Sequence, residues 1–283
     1  MRSLIKRLIL GSILLTACSR FLAQPTLTPT PAPSVSTAAP TRPPFTPTAA
    51  ATATRAAPPV APTVLPTPSK PVPLNFNAKD NARLAANYYP PIVRPAPGVL
   101  LIHMLGGSKA DWDSFARELQ KQGYAALAID LRGFGGSAQP EDWTKAPDDV
   151  KSAWEVLAAR PEVDRNRTAI VGASIGANLA LMVGGTDERI TAVVALSPGL
   201  DYHGLNPSSA LAGFAQRPAF LIAARDDSYS ADSVEKLAKL SVSAETLILD
   251  AAGHGTAMLT REPTLAQELI EWLNKNVRDV LKG

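Results

Sequence analysis

The stretch Ala169-Ile170-Val171-Gly172-Ala173-Ser174-Ile175-Gly176-Ala177 runs from an apolar strand pattern through G-x-S-x-G into a small-residue helix start. A serine at so tight a strand-to-helix turn presents its hydroxyl above the sheet, and Gly172 and Gly176 let the two backbones approach. The helix start adds positive partial charge where a reacting oxygen would become negative. This is nucleophile chemistry, and a serine hydroxyl is a weak nucleophile until a base takes its proton. The chain has three histidines. His103 ends a strand pattern well before the serine, and His203 lies in an irregular segment. His254, in Ala251-Ala252-Gly253-His254-Gly255, follows the last strand pattern. It alone completes the order serine, acid, histidine expected with such a turn. The acid has to hold the imidazole tautomer and stabilise the imidazolium. Asp226 and Asp227 both stand where a strand pattern ends, and Asp201 follows the preceding one. Residue types alone leave these three open.

The elements that must position these groups follow from periodicity. Val99 to Ile102, Tyr124 to Ile129, Thr168 to Val171, Ile190 to Leu196, Ala219 to Ala223 and Glu245 to Leu249 are short apolar runs. Their Val, Ile and Leu content suits strands buried on both faces. Helical patterns lie between them: Ala110 to Lys121, Asp148 to Ala159, Ser174 to Val183, Ala231 to Leu240 and Thr264 to Val280. Such alternation predicts an α/β domain with a mostly parallel sheet and helices on both faces. Phe76 to Tyr89, with a turn at Lys79-Asp80-Asn81, is expected to add an antiparallel hairpin at one edge.

With these motifs in view, residues 74–283 resemble the α/β-hydrolase superfamily, in its serine esterase-like form. Ala224-Arg225-Asp226-Asp227 is similar to the family's G-x-x-D with alanine for glycine, which favours Asp227 as the acid. Asp130-Leu131-Arg132-Gly133-Phe134-Gly135-Gly136-Ser137 resembles its D-x-R-G-x-G-x-S segment, and Leu101-Ile102-His103-Met104-Leu105-Gly106-Gly107-Ser108 its H-G-x-G-G stretch. The resemblance implies a triad of Ser174, Asp227 and His254, with the backbone N–H groups of Leu105 and Ile175 forming an oxyanion hole. It also implies structural roles for His103 and the Arg132 segment. Met104 departs from the family's glycine, and we expect it to narrow the acyl side of the site.

The N-terminus has a different character. A cationic stretch holding Arg2, Lys6 and Arg7 precedes an apolar stretch from Leu8 to Ala17, too short to span a bilayer and suited to a signal peptide over residues 1–17. Leu15-Thr16-Ala17-Cys18 resembles a bacterial lipobox. The expectation is a lipid on Cys18 that holds the chain to a membrane of the cell envelope, on its extracytoplasmic side. Cys18 is the only cysteine, so no disulfide forms within the chain. Residues 18–73 are dominated by Pro, Thr and Ala, which cannot bury enough apolar surface to offset ordering entropy. They read as a disordered tether reaching on the order of 150 Å when extended.

The formal charge of +3 invites a nucleic-acid reading, yet it arises from the three cations of the signal. Without them 25 basic residues face 25 acidic ones and no basic run remains, so no nucleic-acid partner is expected. Three scattered histidines and one cysteine make no metal cluster, and no cofactor is implied. About 22 residues separate Leu196 from Ala219, where many relatives insert a lid, so little or no lid is expected. The predicted activity is hydrolysis of a small-molecule carboxylic ester through an acyl-enzyme on Ser174. A peptidase or acyltransferase would use the same triad, and a non-catalytic surface binding module is the alternative from another class. A haloalkane dehalogenase would want a carboxylate at position 174.

Overall fold

The computed structural model describes residues 68–137 and 139–279. The expected signal peptide, Cys18 and all but the end of the expected tether lie outside them.

The described residues form one eight-stranded sheet: β1 (Val72–Asn77), β2 (Arg83–Tyr89), β3 (Ala96–Ile102), β4 (Ala125–Ile129), β5 (Val163–Ala173), β6 (Ala192–Leu196), β7 (Ala219–Ala224) and β8 (Ala244–Leu249). Their order is β1-β2-β4-β3-β5-β6-β7-β8. β1 and β2 form the antiparallel hairpin at one edge, and every pair from β4 onward is parallel. β1 opens at Val72, two residues ahead of Leu74, and takes in Pro73. An edge strand tolerates proline because one side of its ladder is unpaired.

The helices are α1 (Asp113–Lys121), α2 (Ala146–Ala158), α3 (Ile175–Thr186), α4 (Ser208–Leu211), α5 (Ser228–Ala238), α6 (Met258–Arg261) and α7 (Leu265–Leu273). Alternate residues of the buried strands point to opposite faces. Leu100, Ile102 and Ile170 join Val150, Trp154, Leu179 and Leu237 in one core, beneath α2, α3 and α5. Val99, Leu101 and Val171 join Phe115, Leu119, Leu269 and Leu273 in the other, beneath α1 and α7. The pattern expected to be one helix to Val280 instead changes at Asn274 to a π-helical turn reaching Arg278. Asn276 Nδ2 donates to the Trp272 carbonyl at 3.0 Å within that turn.

Two polar clusters tie the loops to the sheet. The Asp130 carboxylate, fully buried, pairs with the Lys109 ammonium and accepts the N–H groups of Lys109 at 2.8 Å and Gly136 at 2.7 Å. Arg132 forks onto Asp149 at 2.9 and 2.6 Å and onto Asp80 at 3.0 and 3.1 Å. It thereby fastens the hairpin turn to α2. Between β6 and β7 the chain makes only α4 and a following 3-10 turn, with Leu211 and Phe214 in the core against α3. No lid domain is inserted there.

Candidate active site

The carboxyl ends of parallel strands are where α/β sheets place ligands. Ser174 follows β5, Asp227 follows β7 and His254 follows β8. Ser174 sits at φ 55°, ψ −120°, a conformation that L-residues rarely adopt. Its neighbours make the turn feasible. A Cβ on Gly176 would lie 2.5 Å from the Ile102 carbonyl oxygen and 2.6 Å from that of His103, and one on Gly172 would overlap the Gly176 carbonyl. The Ser174 N–H donates to the Leu196 carbonyl at 2.8 Å, tying the strained residue to the end of β6.

His254 Nδ1 lies 2.6 Å from Asp227 Oδ2. A carboxylate only accepts, so Nδ1 carries the proton and Nε2 is left as the basic nitrogen. Burial pushes the Asp227 pKa up, but hydrogen bonds from Ser230 and His254 outweigh it and hold the carboxyl below its ordinary range. Asp227 also caps α5, accepting the Ser230 N–H at 3.3 Å. Asp226 binds backbone instead, and both its oxygens accept the Gly253 N–H, at 3.0 and 3.2 Å. Asp201 is exposed and accepts the Gly204 N–H at 2.8 Å, which leaves it a turn-forming role. The three carboxylates that residue types alone left open are thus separated by what each one binds.

Other expected residues fall as follows. His103 is buried; its Nε2 accepts the Leu131 N–H at 2.9 Å, so Nδ1 donates to the Met104 carbonyl at 2.7 Å. Burial lowers its pKa, and the neutral ring braces the turn after β3. His203 is exposed, its ring centroid 5.4 Å from that of Trp143 and tilted 40° to it. Leu105 is exposed in the turn closed by the Gly107 N–H on the Met104 carbonyl at 3.0 Å. Ile175 is the first residue of α3, where N–H groups have no acceptor within the helix. Met104 turns toward the His254 loop. Its sulfur lies 3.8 Å from Thr256 Oγ1, and a Cβ on Gly255 would come within 2.7 Å of it. The side chain that replaces glycine therefore packs against the His254 loop, in space that Gly255 leaves open.

Three contributors carry no motif. Ser197, buried at φ 52°, accepts the Gly255 N–H at 2.9 Å and so joins the end of β6 to the His254 loop. Tyr202 places its ring edge-on to His254, with centroids 6.4 Å apart, and its hydroxyl 3.2 Å from Ser230 Oγ. Asn178, buried one turn into α3, holds the segment bearing Tyr202: its amide donates to the Gly199 and Leu205 carbonyls at 2.9 and 2.7 Å and accepts the Gly199 N–H at 2.9 Å. The one signal that points to Ser197 and Tyr202 is position, directly after a strand beside the serine turn. Among the described residues no group of His, Cys, Asp and Glu is arranged to hold a metal ion.

Comparison with known proteins agrees with this architecture. A family model described as alpha/beta hydrolase fold matches residues 97–211, which include Ser174 and stop short of Asp227 and His254. The chain is 31% identical over 139 residues to the quorum-quenching protein AidA of Acinetobacter baumannii, covering 47% of this chain and 46% of that one. It is 31% identical over 132 residues to esterase FrsA of Yersinia pestis, covering 44% and 31%. The matches thus span less than half the length of these curated relatives. Among solved structures, a Pyrococcus furiosus esterase superposes with a TM-score of 0.63 at 20% identity, over 74% of this chain and 91% of that one. A dienelactone hydrolase from Anabaena variabilis gives 0.62 at 23% identity, over 74% and 98%. The chain has the α/β-hydrolase fold.

Proposed function

We propose that this chain is a serine hydrolase of the α/β-hydrolase superfamily that cleaves carboxylic esters through an acyl-enzyme on Ser174. The observation that carries the reading is the 2.6 Å contact between His254 Nδ1 and Asp227 Oδ2, which leaves Nε2 basic on the loop next to a strained serine. In the proposed reaction Ser174 Oγ attacks the ester carbonyl carbon as its proton passes to His254 Nε2. The oxyanion accepts from the N–H groups of Leu105 and Ile175, each such donor being worth about 10²–10³ in rate. Collapse breaks the bond to the leaving alkoxide, which takes the proton from Nε2. Water then attacks the acyl-enzyme, gives its proton to His254, and releases the carboxylic acid and Ser174. Asp227 stays ionised throughout, stabilising the imidazolium. The names of the esterase and hydrolase relatives favour this chemistry.

A fluorophosphonate probe tests it: Ser174 is expected to label, and Ser174→Ala to abolish both labelling and turnover of an ester panel graded by acyl length. An intact chain that neither labels nor cleaves any ester of the panel sinks the proposal. A peptide and an acyl acceptor in the same panel separate esterase from peptidase or transferase activity.

The chain is also proposed to be tethered at the cell envelope by lipid on Cys18, a reading supported by the lipobox-like Leu15-Thr16-Ala17-Cys18 and the single cysteine. Several acyl chains anchor stably where one does not. Cys18→Ser is expected to move the protein from the membrane to the soluble fraction, and unchanged retention counts against the anchor.

A further inference from the structure

We propose that Tyr202 is a further hydrogen-bond donor of the reaction centre, its phenol donating to Ser174 Oγ as that oxygen gives up its proton. The proposal rests on the serine-hydrolase reading above. Its ground is a set of contacts that bring this hydroxyl between the elements bearing Ser174 and His254. The phenol donates to the Ser197 carbonyl at 3.4 Å, and Ser197 follows Leu196, whose own carbonyl holds the Ser174 N–H at 2.8 Å. The ring lies edge-on to His254. The hydroxyl meets Ser230 Oγ at 3.2 Å, and the Ser230 N–H binds Asp227. Tyr202, Ser230, Asp227 and His254 therefore form one polar chain, joined to Ser174 through the backbone of Leu196 and Ser197.

The segment is built to hold that position. Asn178 clamps both its ends through Gly199 and Leu205. Ser233 Oγ accepts the Leu200 N–H at 3.2 Å, and Tyr229 exchanges hydrogen bonds with the Asp201 backbone at 3.0 and 3.1 Å. Tyr229 also packs edge-on to Tyr202 at 5.6 Å. The phenol's own bonds, by contrast, are long. A single phenolic hydrogen held this loosely can turn from the Ser197 carbonyl to Ser174 Oγ as negative charge develops there, a bond made in the transition state and not in the ground state. Burial first, and then the Asp227 charge, hold the Tyr202 pKa above its ordinary value, while the hydroxyls of Ser230 and Ser174 act on it in the other direction. The phenol is thus a neutral donor, and its proton stays on Tyr202 throughout.

The test is Tyr202→Phe in the full chain, which keeps the ring and removes only the oxygen. We expect fluorophosphonate labelling and kcat to fall about tenfold, the worth of one net hydrogen bond to a charged oxygen, with KM within about twofold and thermal midpoint preserved. Wild-type labelling and turnover by Y202F would overturn the proposal and leave Tyr202 a packing residue. Should Y202F not fold, Ser230→Ala removes the phenol's partner without touching the ring. It is expected to slow labelling a few-fold, and an unchanged rate likewise overturns the proposal. Failure of the unmodified chain to label defeats the serine reading itself, a result distinct from one in which only the variant behaves as wild type.

Discussion

Asp226 grips the Gly253 N–H with both carboxylate oxygens, at 3.0 and 3.2 Å, directly before the histidine that its neighbour Asp227 holds by the ring. Adjacent side chains after β7 thus divide one loop between them, Asp226 fixing its backbone and Asp227 its imidazole. Gly253 at φ 75° makes the turn that lets both contacts form.

This division predicts unequal consequences. Asp227→Asn keeps the shape but lets the amide donate to His254, favouring the wrong tautomer, and is expected to lower kcat by about 10³–10⁴. Asp226→Asn still accepts the Gly253 N–H and should stay within a few-fold of wild type. Asp226→Ala, which leaves that N–H without its partner, should lose about tenfold or less. Steady-state kinetics on one ester decide it, and an Asp226→Asn defect as large as that of Asp227→Asn would reverse the assignment.

Why the pair was ambiguous in sequence is physical. Two consecutive aspartates after a strand are equivalent in type and spacing, and only the direction each side chain takes tells them apart. Ser174 was legible because its geometry is local: the glycines that relieve a strand-to-helix collision lie two residues to either side. His254 was legible because few histidines compete with it. The strands and helices follow from apolar runs long enough to be buried on two faces. Tyr202 and Ser197 left no such trace. Their positions depend on Asn178, Ser230 and Gly255, which lie 24, 28 and 58 residues away from the residue each one serves. Met104 was visible as a departure, but the space that receives its side chain belongs to Gly255, on a loop 151 residues further on.

Strain at Ser174 yields a test of stability independent of substrate. A residue with a Cβ at φ 55° carries an energetic penalty that glycine does not. Ser174→Gly should therefore be more stable than Ser174→Ala by about 1 kcal/mol, both being inactive. Urea unfolding of the two variants measures this directly, and equal midpoints with equal slopes would show that the turn is not strained.

His103 sets an expectation for acid sensitivity. Burial holds its pKa below the ordinary 6.5, so the unfolded chain takes up a proton that the folded chain refuses. Its contribution to stability is complete above about 6.5 and is lost as pH falls through the folded value, with a limiting slope of about 1.4 kcal/mol per pH unit. The carboxylate of Asp227, also depressed, acts only at lower pH, below its own ordinary value of 3.8. His103→Gln, although less stable overall, should show a shallower decline between pH 7.5 and 5 than the wild type. Parallel declines would mean that His103 protonates freely in the fold.

Met104 and Gly255 should be coupled energetically. Gly255 sits at φ 60°, and an added Cβ would fall 2.7 Å from Met104 Sδ. Gly255→Ala therefore meets two obstacles, a backbone conformation that disfavours a side chain and a collision with the thioether. Together these are expected to destabilise by about 2–3 kcal/mol. Met104→Ala removes the collision together with the packing of the thioether, and that packing cost cancels when the double variant is compared with the sum of the single ones. In the double variant the steric share should be recovered and the conformational share should remain, so that the double variant is less destabilised than the two single changes added together by at least about 1 kcal/mol. Simple additivity would show that the sulfur does not occupy the space beside the His254 loop. The same variants report on function, because the N–H of Gly255 is held by Ser197 at 2.9 Å. If relief of the collision restores the loop, the double variant should regain kcat lost in Gly255→Ala, in step with its regained stability.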